Sequence, residues 1–183
     1  MSSAVIEIKK YTYEDYLKTP DDERYELIEG DLIMTPSPMT KHQRISGKIG
    51  FELIKYVTEN NLGEVFYAPY DVLFDDENVV QPDILFVSKD RLDIIGEKNI
   101  QGAPDIIVEI ISESSAYRDM VQKKKLYARF GVKEYWIVIP EEESIEMYIL
   151  KEKTYRIYKT YEKDDILESP SLKSLRIKLK EIF

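Results

Sequence analysis

Two short apolar runs, each interrupted by a carboxylate, constrain this chain more than any other feature. The first is Val79-Val80-Gln81-Pro82-Asp83-Ile84-Leu85-Phe86-Val87 and the second is Asp105-Ile106-Ile107-Val108-Glu109-Ile110-Ile111. Runs this short, β-branched and nearly continuous predict strands covered on both faces. A carboxylate in such a strand needs a partner, because an isolated buried charge is too costly to keep. A cation is the obvious candidate for both Asp83 and Glu109.

The next segment supplies one. Asp119-Met120-Val121-Gln122-Lys123-Lys124-Lys125-Leu126-Tyr127-Ala128-Arg129-Phe130 predicts a helix closed by Gly131 as its C-terminal cap. At about 100° per residue, Lys123 falls within the face made by Met120, Leu126, Tyr127 and Phe130. Lys124 and Lys125 point away from it. Two carboxylates and an inward lysine on one sheet predict a metal-dependent hydrolytic site. Each residue also has a plainer reading. The acids can be strand-end charges paired with lysine or arginine, and Lys123 can snorkel from its face with Asp119 as i,i+4 partner.

Spacing selects between two Pro-Asp pairs. Asp105 lies about 13 Å from Glu109 at ~3.3 Å per residue, too far to share one ion, whereas Asp83 can lie on a neighbouring strand. His42, the single histidine, shares a helix face with Ile45 and Ile49. It is either a hydrogen-bonded core residue or a phosphate contact near a helix N-terminus. Glu26 alternates into the face of Ile28, where it either adds a carboxylate to the site or pairs with Arg24 or Arg44. Lys41, Arg44 and Lys48 read as a solvated helix face or as phosphate contacts, and the C-terminal tyrosines as sheet packing or a dimer contact.

Around these residues the pattern is α/β. Thr12 and Asp15 have the spacing of a capping box on a first helix, and residues 19–22 read as a turn. Residues 24–34 read as a hairpin around Gly30, stopped by Pro36 and Pro38. Thr40 to Gln43 again has capping-box spacing and opens a long helix to about Asn60, with Ile45, Ile49, Leu53 and Tyr56 inward. Residues 64–74 read as strand material, 75–78 as a turn and 88–104 as irregular surface. The strand at 134–139 completes a right-handed βαβ unit, 144–150 and 154–161 form a hairpin, and 175–179 alternates like a half-exposed strand. The expectation is a mixed β-sheet flanked by helices. A single domain spans 1–183, with a C-terminal β extension from about residue 144.

Composition narrows the chemistry. The absence of cysteine excludes disulfides, zinc–thiolate sites and thiol nucleophiles. No run approaches the ~18 apolar residues of a membrane span, and Met1-Ser2-Ser3-Ala4 lacks the basic and apolar regions of a signal peptide. A soluble, cytoplasmic protein is expected. The net charge of −9 argues against tight non-specific nucleic-acid binding, which draws on phosphate neutralisation, and leaves weak, metal-assisted or localised contact.

An ordered set of segments carries a resemblance. It comprises residues 25–30 (Tyr-Glu-Leu-Ile-Glu-Gly), His42-Gln43-Arg44, Gln81-Pro82-Asp83-Ile84 and Pro104 through Ser112. Asp119, Lys123 and Tyr127 follow, then Gly131-Val132-Lys133-Glu134-Tyr135-Trp136-Ile137-Val138. Over roughly residues 11–150 the chain resembles the PD-(D/E)xK nuclease superfamily, and within it a bacterial restriction-endonuclease family. The resemblance implies a restriction-endonuclease-like core. It implies Mg²⁺ (or Mn²⁺) held by Asp83, Glu109 and the backbone carbonyl of Ile110, with Glu26 and His42 brought to the same site. Ile111 stands where the motif lysine would be, and Lys123 matches the family's relocated lysine. The implied activity is metal-dependent endonucleolytic hydrolysis of nucleic-acid phosphodiester bonds, with DNA as the expected substrate and, by analogy, a homodimer. Two rivals stand beside it. One is a non-catalytic interaction module on a degenerate nuclease fold, favoured by the acidic balance and Ile111. The other is a hydrolase of nucleotides or other small phosphoesters.

Overall fold

The computed structural model describes residues 9–20, 22–112 and 115–183. Met1 to Ala4 and Asp21 of the expected turn lie outside them. Helix α1 (Tyr13–Tyr16) carries the Thr12/Asp15 capping box. Strands β1 (Tyr25–Ile28) and β2 (Asp31–Met34) form the hairpin around Gly30. Helix α2 (Thr40–Glu59) starts one residue earlier than its pattern suggested. Met39 is the extended cap residue, and no side chain caps this end. Buried Ile45, Ile49, Leu53 and Val57 form its inner face, while Tyr56 is only partly buried.

Strand β3 (Gly63–Tyr67) follows, then β4 (Asp71–Asp75) and β5 (Asn78–Val80). Strand β6 (Ile84–Ser88) is separate from β5, so the first acidic run is not one strand. β5 belongs to a five-stranded sheet ordered β2-β1-β5-β4-β7 (β7, Asn99–Gln101), whereas β6 belongs to a six-stranded sheet ordered β11-β10-β9-β8-β6-β3 (β8, Ile106–Ile110; β9, Glu134–Ile139; β10, Ser144–Lys151; β11, Thr154–Glu162). The chain changes sheet at Gln81-Pro82-Asp83. Proline has no N–H for a ladder and disfavours regular pairing around it. Asp83 therefore sits on a connector, with its backbone carbonyl accepting from Ala68 N at 3.2 Å.

The region expected to be irregular holds a 3₁₀ turn (Lys89–Ile94) and β7 (Asn99–Gln101), which pairs parallel with β4. Three residues are too few to show alternation, so this strand left no pattern to read. Strand β8 (Ile106–Ile110) then runs parallel to β9 (Glu134–Ile139). Between them a π-helical turn (Arg118–Lys123) leads into α3 (Lys124–Phe130), which Gly131 ends in the left-handed region at φ 90°.

Strands β10 (Ser144–Lys151) and β11 (Thr154–Glu162) form the expected hairpin and extend the six-stranded sheet. The tail is shorter in strand than its alternation suggested. β12 (Ile166–Leu167) pairs with β13 (Ile177–Lys178), and the chain then turns into α4 (Leu179–Ile182). The alternating burial survives, with Leu175, Ile177 and Leu179 inward.

Strand periodicity sorts the six-stranded sheet into two faces. Ile106, Val108 and Ile110 pack with the inner face of α2 and with the C-terminal segment. Ile107 faces the other way, toward Leu126 and Tyr127 of α3 and toward Ile28, Val72 and Val80 of the five-stranded sheet. Glu109 shares that second face by alternation. It is the polar position in an otherwise apolar layer between sheet, sheet and helix.

Candidate active site

Glu109 is 3% exposed and Lys123 2%. The inward lysine reaches the strand carboxylate as the pattern predicted, with Lys123 Nζ 2.8 Å from Glu109 Oε1. The hydroxyl of Tyr127 donates to the same oxygen at 2.6 Å. Glu26, arriving on β1 from the other sheet, places Oε1 2.7 Å from Lys123 Nζ and accepts from the backbone N of Gln81 at 3.0 Å. Asp119 Oδ1 is 3.4 Å from the ammonium. Lys123 thus has its plainer i,i+4 partner and two carboxylates from separate strands at once.

Asp119 and Lys123 both belong to the π turn. It keeps both on one buried face, and the Asp119 carbonyl takes a hydrogen bond from the Tyr135 hydroxyl at 2.9 Å. Wide turns of this kind recur at functional sites. Lys125 is exposed, and Lys124 lies over the Tyr148 ring instead.

Asp83 completes the floor from the connector. Its Oδ2 accepts from the backbone N of Ile110 at 2.8 Å and lies 3.0 Å from His42 Nε2. A carboxylate can only accept, so the imidazole donates from Nε2. His42 Nδ1 is buried with no hydrogen-bond partner among the described residues. The five expected side chains therefore meet in one place. Asp105, set aside by spacing, has a separate structural role: it accepts from Ser88 N at 2.8 Å and from Lys133 Nζ at 2.6 Å.

Arg118 was not anticipated. Its Nε lies 3.4 Å from Glu26 Oε2 and 3.8 Å from Asp119 Oδ1. It takes the place expected for Arg24 or Arg44 beside Glu26. Arg24 instead donates to Gln81 Oε1 at 3.1 Å. The only sequence signal was position, one turn before Lys123 and next to Asp119.

Electrostatics follow from burial. Desolvation pushes the Glu109 carboxyl up to about 8. The Lys123 ammonium pulls it down, while Asp119, Asp83 and Glu26 add to the rise. Desolvation likewise raises Asp119. Burial alone would lower Lys123, but Glu109, Glu26 and Asp119 together hold it well above the usual lysine range. Tyr127 is raised well above 10 by burial and by Glu109, so it stays a phenol and a donor. Four carboxylates, Glu26, Asp83, Glu109 and Asp119, face two permanent cations, Lys123 and Arg118.

These six charged groups line a cavity of about 850 Å³. Its lining also includes residues 35–39, between β2 and α2, and residues 139–141, where β9 ends. Lys41 and Glu141 pair across it at 3.0 Å. Ile111 lines the wall and ties the end of β8 to β9 through its N–H to Val138 O.

A divalent cation fits the chemistry of this donor set. The hydrogen bonds to each acid fall on one oxygen, Asp83 Oδ2 and Glu109 Oε1. The second oxygen of each has no hydrogen-bond partner among the described residues. The carboxylate excess is what a divalent cation would neutralise, and oxygen-only ligands suit Mg²⁺ or Mn²⁺. Among the described residues no three His, Asp or Glu side chains already form a cage for a metal.

The mixed sheet flanked by helices, with acids and a lysine gathered where β8 ends, is a restriction-endonuclease-like fold. Residues 12–180 match the Uma2 family, described as "Putative restriction endonuclease", and the chain belongs to that family. It is similar to a solved structure described as "a putative nuclease belonging to DUF820" from Anabaena variabilis ATCC 29413. That match has a TM-score of 0.78 and 23% identity, and covers 94% of this chain and 97% of the other. At that identity the likeness establishes the fold alone. No curated protein matches the chain.

Proposed function

We propose that this protein is a metal-dependent endonuclease that hydrolyses nucleic-acid phosphodiester bonds, with DNA as the first substrate to test. The carrying observation is the convergence of Asp83, Glu109, Glu26 and His42 with the buried Lys123 at the floor of one cavity. Mg²⁺ or Mn²⁺ would be held by Asp83, Glu109 and the Ile110 carbonyl. When bound it would polarise the phosphodiester and lower the pKa of its water.

The chain's own groups do the rest. Lys123, kept charged by three carboxylates, offers fixed positive charge where the phosphorane oxygens gain negative charge. Glu26 and Tyr127 are positioning residues. Glu26 holds the ammonium from the far sheet, and Tyr127 orients the Glu109 carboxylate. His42 fixes Asp83 through Nε2, and on rotation its N–H can meet a phosphate oxygen. Arg118 stands beside Glu26 as a further phosphate contact. Lys123 stands beside Glu109 and supplies the cation that Ile111 cannot.

The test is cleavage of single-stranded, plasmid and linear duplex DNA with Mg²⁺ or Mn²⁺. Asp83→Ala and Lys123→Ala should each lose at least about 100-fold, beyond the 10–100-fold typical of groups that only support a metal ligand. Wild-type turnover in Asp83→Ala would overturn the reading. The homodimer belongs to this proposal and is read by sedimentation velocity. The recessed cavity favours one second reading, a hydrolase of small phosphoesters. Turnover of bis(p-nitrophenyl) phosphate with none on any polynucleotide would bring it in.

A further inference from the structure

Between residues 41 and 55, helix α2 inverts the charge balance of the molecule. Lys41, Arg44, Lys48 and Lys55 face a single acid, Glu52, in a chain of 26 basic and 35 acidic residues. These residues are not scattered round the helix. At about 100° per residue, Arg44, Lys48, Phe51 and Lys55 fall within an arc of roughly 60°, with Lys41 at its edge. The arc faces away from Ile45, Ile49, Leu53 and Val57, which hold α2 on the sheet. Lys41 lines the cavity that contains Asp83 and Glu109, so the basic face begins at the site.

Phe51 lies between Lys48 and Lys55 along this face, 61% exposed. The core does not need it, since the four buried aliphatics already fill the inner face. An exposed aromatic among basic side chains is the combination that binds single strands. Bases stack on the ring and phosphates meet the cations.

The depth of the site points the same way. Glu109 and Lys123 are almost wholly buried, so a scissile phosphate has to enter the recess. Duplex DNA stays stiff over about 150 base pairs and cannot fold its backbone inward, whereas a single strand can.

We propose that the exposed face of α2, from Lys41 through Arg44, Lys48 and Phe51 to Lys55, is the track that leads a single-stranded nucleic acid into the site. This rests on the nuclease reading and names its substrate form. Two existing contacts are compatible with it. Lys41 pairs with Glu141 at 3.0 Å, and both side chains are solvated, so a phosphate can displace that weak pair. Lys48 donates to the Ile182 carbonyl at 2.9 Å and keeps its charge at the edge of the track.

Fluorescence anisotropy with labelled 12-nucleotide DNA, 12-nucleotide RNA and a 12-base-pair DNA duplex, all in EDTA, tests the track. Wild type should bind a single strand at least tenfold tighter than the duplex, and the DNA and RNA arms identify the preferred backbone. Arg44→Ala with Lys55→Ala should weaken strand binding about tenfold and flatten the slope of log K against log salt by about 1.4, at 0.7 per lost phosphate contact. Phe51→Ala should weaken binding at every salt concentration with the slope unchanged. These side chains are exposed, so thermal unfolding should match wild type.

No strand binding by wild type, equal duplex binding, or variants that bind like wild type would each overturn the track. A wild-type dimer that Phe51→Ala dissociates, with strand binding intact, would assign the face to self-association and overturn it too. Strand binding without cleavage in Mg²⁺ would sink the nuclease reading and leave the track standing. Cleavage with strand binding indifferent to α2 would do the reverse.

Discussion

Lys123 answers for more buried negative charge than any other residue of the described chain, through Glu109, Glu26 and Asp119. Replacing it with methionine leaves those carboxylates facing Arg118 alone. Removing one partner of a buried ion network costs about 3–5 kcal/mol, and urea unfolding of Lys123→Met should show a loss of that order. Adding Glu109→Gln should recover part of it, because one of the stranded charges is then gone. Glu109 also sets a pH signature. Its carboxyl binds a proton more tightly when folded, so its contribution to stability is full below the ordinary value of 4.5 and is lost as pH rises through about 8. Melting curves of wild type and Glu109→Gln without metal should diverge across that window, with the variant flatter. Mg²⁺ competes with the same proton, so it should raise the wild-type Tm more at pH 8 than at pH 6.

Two glycines at element ends differ in how closely other elements approach them. Gly131 ends α3 at φ 90°, in open space, so Gly131→Ala carries only the conformational cost of about 1–2 kcal/mol. Gly63 begins β3 at φ 148°, and a Cβ there would meet the backbone of Val87 and Ser88 on β6. Backbone cannot swing aside as a side chain can, so Gly63→Ala should cost more than Gly131→Ala in the same unfolding series. Equal losses would show that β3 and β6 slide apart without penalty. Tyr127→Phe belongs at this scale too, because it cuts a tie between α3 and β8. Leaving Glu109 short of a buried donor should cost about 1–3 kcal/mol.

Across the whole molecule, the site exists because two sheets and two helices converge on the end of β8. Thermal unfolding in EDTA and then in millimolar Mg²⁺ or Mn²⁺ reads the assembled site directly, since a ligand of the native state raises Tm by mass action. The rise expected for wild type should vanish in Asp83→Ala. An equal rise in both would move the cation away from Asp83.

Much of this was legible in the linear pattern, and the reason is local. Alternation placed Glu109 opposite Val108 and Glu26 beside Ile28. Helical spacing separated Lys123 from Lys124 and Lys125, and left-handed geometry explains why a glycine closes α3. Each follows from a period of two or about 3.6 residues, which the chain carries wherever it folds. Other features depended on contacts between segments far apart in sequence. The break of the first acidic run at Pro82 became a change of sheet only because β1 and β8 were there to take its two halves. β7 had three residues and no period. Arg118 beside Glu26 and His42 beside Asp83 are pairings across 92 and 41 positions. The sequence by itself determined which side chains face inward, because backbone geometry sets that residue by residue. Only the tertiary structure decided which of them meet, because the packing of separate sheets and helices, and the shared need to neutralise their charges, bring them together.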